Sequence, residues 1–160
     1  MEAFAPTVDA AFEACVLASY GDIKALLATA DGTSIAGLML AATAWQCEGD
    51  VLRAESTLRR AAEHAAGDER AYVVDLLVPL LISRGVFTRA AGFLGVATSP
   101  RLGLGRVALQ AVIDAANGAT RRSEELAAEV RAALPQLDDD ILRMRVRQRL
   151  ALAGYYRGDM

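Results

Sequence analysis

Apolar residues recur along this chain at the three-to-four-residue spacing of amphipathic helices, and no stretch shows the strict alternation of a half-buried strand. The pattern predicts an all-α protein of nine helices. The expected ranges are about 8–20, 22–31, 34–48, 51–66, 69–84, 88–97, 104–116 and 120–134, with a ninth helix starting in the acidic run 138–140. Acidic side chains at that start complement the positive end of the helix dipole.

Glycines break this helical pattern at regular distances. Gly21, Gly49, Gly85, Gly118 and Gly158 are separated by 28, 36, 33 and 40 residues, and three of them precede an Asp. Of these, Asp22 and Asp50 are expected to cap the helix that follows. A repeat near 34 residues is typical of stacked helical hairpins. One hairpin cannot bury its own apolar face, so the spacing predicts a solenoid whose curved surface binds a partner.

The fifth predicted helix is nearly all apolar and contains two unusual residues. Pro79 lacks a backbone donor and is expected to kink this helix or to shift its start. Asp75 is its one acidic residue within the apolar stretch. It either faces a binding groove or is an interior polar group that needs a partner.

Composition narrows the class of protein. Hydrophobic residues make up 54% of the 160 residues, but the longest apolar run is interrupted by Asp75, so no membrane span is expected. The first six residues contain no basic side chain, which argues against a secretory signal and favours a cytoplasmic location. The net charge of −3 predicts no nucleic-acid partner. We expect a single domain over residues 1–160.

Cysteine and histidine are too few for a convincing metal site or disulfide framework. Cys15 and Cys47 are expected to pack as buried thiols, and no cofactor or metal is predicted. His64 has Ser56 two turns away on the same helix, beyond hydrogen-bond reach for a nucleophile–base pair. It is expected to be a solvated side chain near a helix end. The sequence therefore predicts no enzyme.

Two further patterns suggest chemistry but have simpler interpretations. The stretch from Gly103 to Ala108 matches a dinucleotide-binding pattern, yet that site requires a preceding strand, so a loop between repeats is expected. Four alternating arginines, Arg143 to Arg149, divide into pairs beside an apolar line instead of forming one cationic face. That line consists of Leu142, Val146, Leu150 and Ala153. An acidic or phosphate-bearing partner at Arg145 and Arg149 is the alternative.

Aligning the chain on its glycines reveals a repeated packing pattern. One unit shows Leu38, Ala41, Ala42 and Trp45 on its first helix and Ala54, Leu58 and Ala61 on its second, and the next shows Leu77, Val78, Leu81, Ala90, Leu94 and Ala97. This resembles the tetratricopeptide repeat, in which small and large residues interlock across a helix pair. Pro135 stands at the position where that family favours a terminal proline. Leu26 and Asp114 depart from the pattern in the outer units.

The resemblance implies a right-handed superhelix, or α-solenoid, of about four antiparallel helix pairs plus a C-terminal helix. The segments "AWQCEGDVLRAESTLRRAAEHA" and "LALAGYYRGDM" are similar to repeat arrays of bacterial MalT- and LuxR-type transcription regulators. Such arrays sense an inducer or partner. Helix nine is then either a terminal cap or the start of a further unit in a longer array.

In tetratricopeptide arrays the first helix of each pair lines a concave binding face. The positions that correspond to this face are Met39, Thr43, Gln46, Tyr72, Asp75, Ile82, Arg145, Gln148 and Tyr155. These groups favour a protein or peptide partner docked by apolar anchors, or a small apolar inducer in the same groove. The other interpretation is that Tyr72 or Met39 merely packs between repeats.

Three functions therefore stay open at the level of sequence. The first is a non-enzymatic module that binds a protein or peptide, and the second is the ligand-sensing domain of a transcription regulator. The third is a self-assembly element, in which an uncapped apolar face of a terminal helix forms a homodimer.

Overall fold

The computed structural model describes residues 6–17, 20–95 and 99–159, and within these ranges the chain is helical without any strand. The prediction of an all-α protein is confirmed. Its helices are α1 (Val8–Leu17), α2 (Tyr20–Leu27), α3 (Ile35–Cys47), α4 (Val51–His64), α5 (Gly67–Ser83), α6 (Phe87–Leu94), α7 (Gly103–Ala116), α8 (Thr120–Ala133) and α9 (Asp140–Arg157). A short 3₁₀ turn, Leu134–Gln136, follows α8.

Polar side chains cap the starts of α3, α4 and α9. The Ser34 hydroxyl accepts a hydrogen bond from the N–H of Gly37, and the Asp50 carboxylate accepts one from Arg53. Asp139 caps α9 in the same way. Each cap satisfies a backbone donor that the first helical turn leaves unpaired. The expected capping by Asp50 is therefore confirmed, and α9 begins within the acidic run as predicted.

Four of the five glycines in the repeated pattern form one kind of turn. Gly49, Gly85, Gly118 and Gly158 all have left-handed backbones, with φ between 73° and 84°. In each case the next residue donates its N–H to the carbonyl five residues earlier, as Asp50 does to Trp45 at 2.9 Å. This bond pairs a carbonyl at the end of the helix and reverses the chain.

Gly21 does not belong to this set. It lies inside α2, which already begins at Tyr20, so Asp22 is in the first helical turn and is not the cap. The helix also ends at Leu27, before the expected stop at Asp31. The Asp31 carboxylate instead accepts hydrogen bonds from the backbone and hydroxyl of Thr33, and these bonds lower the pKa of Asp31.

Pro79 lies within a continuous helix. α5 runs from Gly67 to Ser83 through the proline, so the start of the helix is not shifted past it. Gly67 itself has a positive φ of 56°, which marks the turn out of α4. The residues that flank the proline are among the most buried of the chain, which explains why the helix persists although one backbone donor is missing.

The chain divides into two compact units, Met1–Leu80 and Leu81–Met160, which we describe one at a time. In the first unit α1 contacts α2, α3 contacts α4, and both α1 and α2 pack against α3. The core between these helices contains small side chains that let the backbones approach closely. Its buried members include Ala11, Ile23, Ala36, Leu40 and Ala44.

The packing pattern read from the sequence matches burial in the α3–α4 pair. Leu38, Ala42, Ala54, Leu58 and Ala61 are buried, whereas Ala41 and Trp45 are half-buried. The guanidinium of Arg53 lies 3.7 Å from the centre of the Trp45 ring, so the indole is covered on one face by a cation.

In the second unit α7 is the central helix. It contacts α6, α8 and α9, and α8 also contacts α9. The shared core consists of Ala108, Ala127, Val130, Val146 and Leu150. Ala97, assigned to the repeat pattern, lies outside the described residues.

Asp114, the departure from the repeat pattern in α7, is buried with polar partners. The Gln110 amide donates to its carboxylate at 2.9 Å. Arg122 Nε stands 3.2 Å from Asp114 Oδ2, close enough for an ion pair although not aligned as a hydrogen bond. A buried acid with such partners replaces the aromatic residue that the repeat pattern favours.

Two glycines, Gly37 in the first unit and Gly92 in the second, test how closely their surroundings are packed. A Cβ on Gly37 would lie 2.0 Å from the Asp31 carbonyl oxygen, so we expect Gly37→Ala to lower the free energy of unfolding by about 1–3 kcal/mol. Gly92, inside α6, has open space around its Cβ position, and Gly92→Ala should raise stability by up to about 1 kcal/mol through helix propensity. Urea unfolding followed by circular dichroism measures both. Equal midpoints for the two variants would contradict the close approach at Gly37.

Candidate partner-binding face

Three of the predicted groove residues lie in the interior of the first unit. Met39 and Asp75 are buried, and Tyr72 packs its ring 4.9 Å from that of Phe12. Their burial leaves no surface for an external partner, which supports the interpretation that Met39 and Tyr72 pack between helices. Asp75 is likewise an interior polar group. We therefore remove these three from the candidate face.

The remaining candidates differ in exposure. Thr43 is half-buried and donates its hydroxyl to the Met39 carbonyl, whereas Gln46 is exposed. Ile82, in the second unit, is buried and is also removed. Arg145, Gln148 and Tyr155 all lie on α9, where Arg145 is half-buried and the other two are exposed. Of the predicted residues that stay accessible, the structure places Arg145, Gln148 and Tyr155 together on one helix, α9.

α9 presents an exposed apolar stripe beside these residues. Met144, Leu152 and Tyr155 expose 40%, 37% and 75% of their surface. With 3.6 residues per turn, they share an arc of about 100° with Gln148 and Ala151. We call these five residues the α9 face. Met144, Ala151 and Leu152 were missed from the sequence, although their spacing with Tyr155 is that of a second helical stripe.

The opposite side of α9 is buried. Leu142, Val146, Leu150 and Ala153 form the predicted seam, and Val146 and Leu150 belong to the core cluster with Ala108 of α7. α9 therefore has two apolar sides, one packed and one exposed to solvent. Large exposed apolar groups on one helix are typical of interaction surfaces.

The four alternating arginines have different surroundings. Arg149 is buried, and Arg143 donates to the Leu137 carbonyl and pairs with Asp140. Arg147 is exposed on one flank of the α9 face, and Arg145 lies on the other flank. They do not form a continuous cationic stripe, because the helix turns each one into a separate environment.

Asp139 fixes the start of α9. Its carboxylate accepts hydrogen bonds from the N–H groups of Ile141 and Leu142 at 3.0 and 3.1 Å and from the Arg101 guanidinium at 3.0 Å. Burial raises the pKa of this carboxyl, but the hydrogen bonds and the charge of Arg101 outweigh it, so the pKa of Asp139 lies below its ordinary value of 3.8.

Arg157 fixes the end of α9. Its side chain is only 3% exposed and donates to the carboxylate of Asp159 and, at 3.0 Å, to the hydroxyl of Ser123 in α8. Ser123 in turn donates to the Ala111 carbonyl of α7 at 2.8 Å. A buried cation with these partners ties the last turn of α9 to the two helices beneath it.

The residues considered for catalysis or cofactor binding are dispersed. His64 is exposed with its Nδ1 near the Arg60 carbonyl, as expected for a solvated side chain. The segment from Gly103 to Ala108 forms the first turns of α7, not a loop, and no strand precedes it in the described residues. Cys47 is exposed, contrary to expectation, because α3 ends there, and Cys15 is half-buried.

Across residues 6–17, 20–95 and 99–159, the structure contains no group of three or more His, Cys, Asp or Glu side chains that could hold a metal ion. An open concavity of about 630 Å³ lies at the start of α8. Its lining includes Thr120, Arg121, Arg122 and Glu125, so it differs from the apolar groove predicted for a small inducer.

No helix in the described part of the chain combines the length and the apolar character needed to cross a bilayer. No protein-family model, curated protein or solved structure matches the chain. The candidate site therefore depends on the geometry of α9 itself.

The lowered pKa of Asp139 gives a pH-dependent prediction. Its ionised form stabilises the fold fully above pH of about 4, and this contribution is lost as the pH falls through the lower pKa of the folded state. We expect Asp139→Asn to lower stability by about 1 kcal/mol at pH 7, where the ion pair with Arg101 is lost. The difference should be smaller at pH 2 than at pH 7, because protonation removes the ionised carboxylate as the pH falls below about 4. Urea unfolding at both pH values measures it.

Asp138→Asn is the control, because Asp138 is exposed and neighbours the same helix start. It should change stability at pH 7 less than Asp139→Asn does. If Asp139→Asn were as costly at pH 2 as at pH 7, the ionised carboxylate would not be the stabilising species.

Proposed function

We propose that this chain is a non-enzymatic helical-repeat module that binds a protein or peptide partner. The observation that carries the proposal is the α9 face, where Met144, Leu152 and Tyr155 are exposed together on a helix fixed at both ends. A rigid helix with clustered apolar side chains loses little conformational entropy when a partner covers it. Tyr155, at 75% exposure, is the anchor we expect to contribute most.

The tetratricopeptide-like superhelix is part of this proposal. It is supported by the recurring left-handed glycine turns and by the small and large residues buried within the α3–α4 pair. In the second unit, α7 contacts both its neighbour α8 and the following helix α9, which is how successive hairpins stack in helical repeats. The right-handed superhelix itself stays a prediction.

The alternatives receive less support. A small apolar inducer is expected in an apolar groove, and the open concavity at the start of α8 is not one, since it carries Arg121, Arg122 and Glu125. Self-assembly through α9 uses the same exposed stripe as partner binding, and measuring oligomeric state separates the two. A role within a MalT- or LuxR-type regulator is compatible with partner binding and stays a prediction.

Truncating the anchor tests the proposed function. A peptide-display screen against the wild-type chain should yield binders, and Tyr155→Ala should weaken them by about tenfold or more, as for a central aromatic anchor. The thermal midpoint should barely change, because the Tyr155 side chain is mostly exposed. Isothermal titration calorimetry on the selected peptides measures the affinity.

Leu52→Ala is the matched control, since Leu52 on α4 is 65% exposed but lies outside the α9 face. It should leave the affinity unchanged. Binders that lose affinity with Leu52→Ala but keep it with Tyr155→Ala would place the binding site elsewhere and remove the support for the proposal.

A further inference from the structure

The turn at the end of α9 is the same turn that joins α3 to α4 and α7 to α8. Asp159 donates its N–H to the Gly154 carbonyl at 3.0 Å, as Asp50 does after α3, and Ala119 donates to Asp114 after α7 at 2.8 Å. After Gly49 and Gly118 the next helix begins within two residues. The backbone at Gly158 therefore makes the same reversal that follows α3 and α7.

α3, α7 and α9 are each followed by a left-handed glycine, Gly49, Gly118 and Gly158. Counting back from these glycines identifies equivalent residues in the three helices. Ten residues before the glycine stand Met39, Ala108 and Gln148. The first two are fully buried, whereas Gln148 is exposed. This position is therefore buried in α3 and α7 but exposed in α9, because no helix in the described part of the chain covers this side of α9.

The position seven residues before the glycine shows the same contrast. Ala42 and Ala111 are buried, and the carbonyl of Ala111 accepts a hydrogen bond from Ser123 on the second helix of its hairpin. Ala151 of α9 is exposed. The α9 face at Gln148 and Ala151 therefore corresponds to positions that are buried in α3 and α7, and in the α7–α8 hairpin the second helix contacts this surface at Ala111. The position of Tyr155 differs, because its counterpart in α3, Gln46, is exposed.

We infer that the α9 face binds an antiparallel amphipathic helix with small residues along its apolar stripe and acidic residues beside it. This inference rests on the proposed function and specifies its partner. The small residues follow from the hairpins already present, where α4 and α8 turn stripes of this kind towards their partners. These stripes are Ala54, Leu58 and Ala61 in α4, and Ser123, Ala127 and Val130 in α8.

The acidic flanks follow from charge. Arg147 and Arg145 lie on opposite sides of the α9 face, and Arg147 is exposed. A bound helix therefore places its flanking positions on the Arg147 side near an exposed arginine. Acidic side chains there gain favourable interactions, and basic ones meet like charge.

The test uses stapled helical peptides built on the α8 sequence, 119–136, because an unstapled helix of this length is marginal in water. In the acidic probe Arg121, Arg122 and Arg131 are replaced by Glu. In the basic probe Glu124, Glu125 and Glu129 are replaced by Lys. Both keep the stripe of Ser123, Ala127 and Val130. Fluorescence anisotropy with the full chain measures their affinities.

We expect the acidic probe to bind at least tenfold more tightly than the basic one. Ala151→Glu in the full chain should weaken the acidic probe by at least tenfold, because it places bulk and negative charge within the α9 face, one turn from Arg147. Ala128→Glu, at an exposed alanine of α8, should leave binding unchanged. Circular dichroism of each variant confirms that the fold is retained.

Four results would overturn the inference. The first is equal binding of both probes, or none, and the second is an acidic probe indifferent to Ala151→Glu. The third is dimerisation of the chain, detected by analytical ultracentrifugation and abolished by Ala151→Glu, which would make a second copy the occupant. If display-selected peptides still required Tyr155 but bound in extended form, the helix inference would fail while the proposed function stood.

Discussion

The left-handed glycine at the end of a helix is the constraint on which this structure depends. Gly49, Gly85, Gly118 and Gly158 adopt backbone angles that other residues rarely adopt, and the bond back to the fifth preceding carbonyl closes each turn. Because the chain reverses within two residues at Gly49 and Gly118, α4 lies directly against α3 and α8 against α7. Alanine-rich contact faces then become necessary, since closely joined helices leave little room for large side chains.

These local determinants explain how much of the fold could be predicted. Glycine conformation, capping by Asp50 and the apolar seam of α9 are encoded by residues close together in sequence. Gly21 shows the limit of the pattern, since glycine permits a left-handed turn but does not impose one. At that position the helix begins before the glycine and incorporates it. The spacing of glycines alone could not distinguish the two cases.

The candidate site was harder to predict, because burial depends on neighbours distant in sequence. Met39 and Tyr72 occupy positions that a repeat alignment assigns to a binding face, yet contacts with helices elsewhere in the chain cover them. Tyr155 remains exposed for the opposite reason: in the described residues, nothing covers its side of α9. Residue type was a weaker guide than position, since an aromatic side chain suits both a core and an anchor.

α9 also shows how a helix can stay ordered while one apolar side is left open. α3 and α7 are held by helices on several sides, whereas α9 is packed mainly on α7. Polar contacts at its ends supply part of the missing restraint, through the Asp139 cap and through the buried Arg157 between Asp159 and Ser123. Because these contacts lie at the termini, they hold the helix without covering its middle. Order and exposure therefore coexist on the α9 face, which is the combination that a binding surface requires.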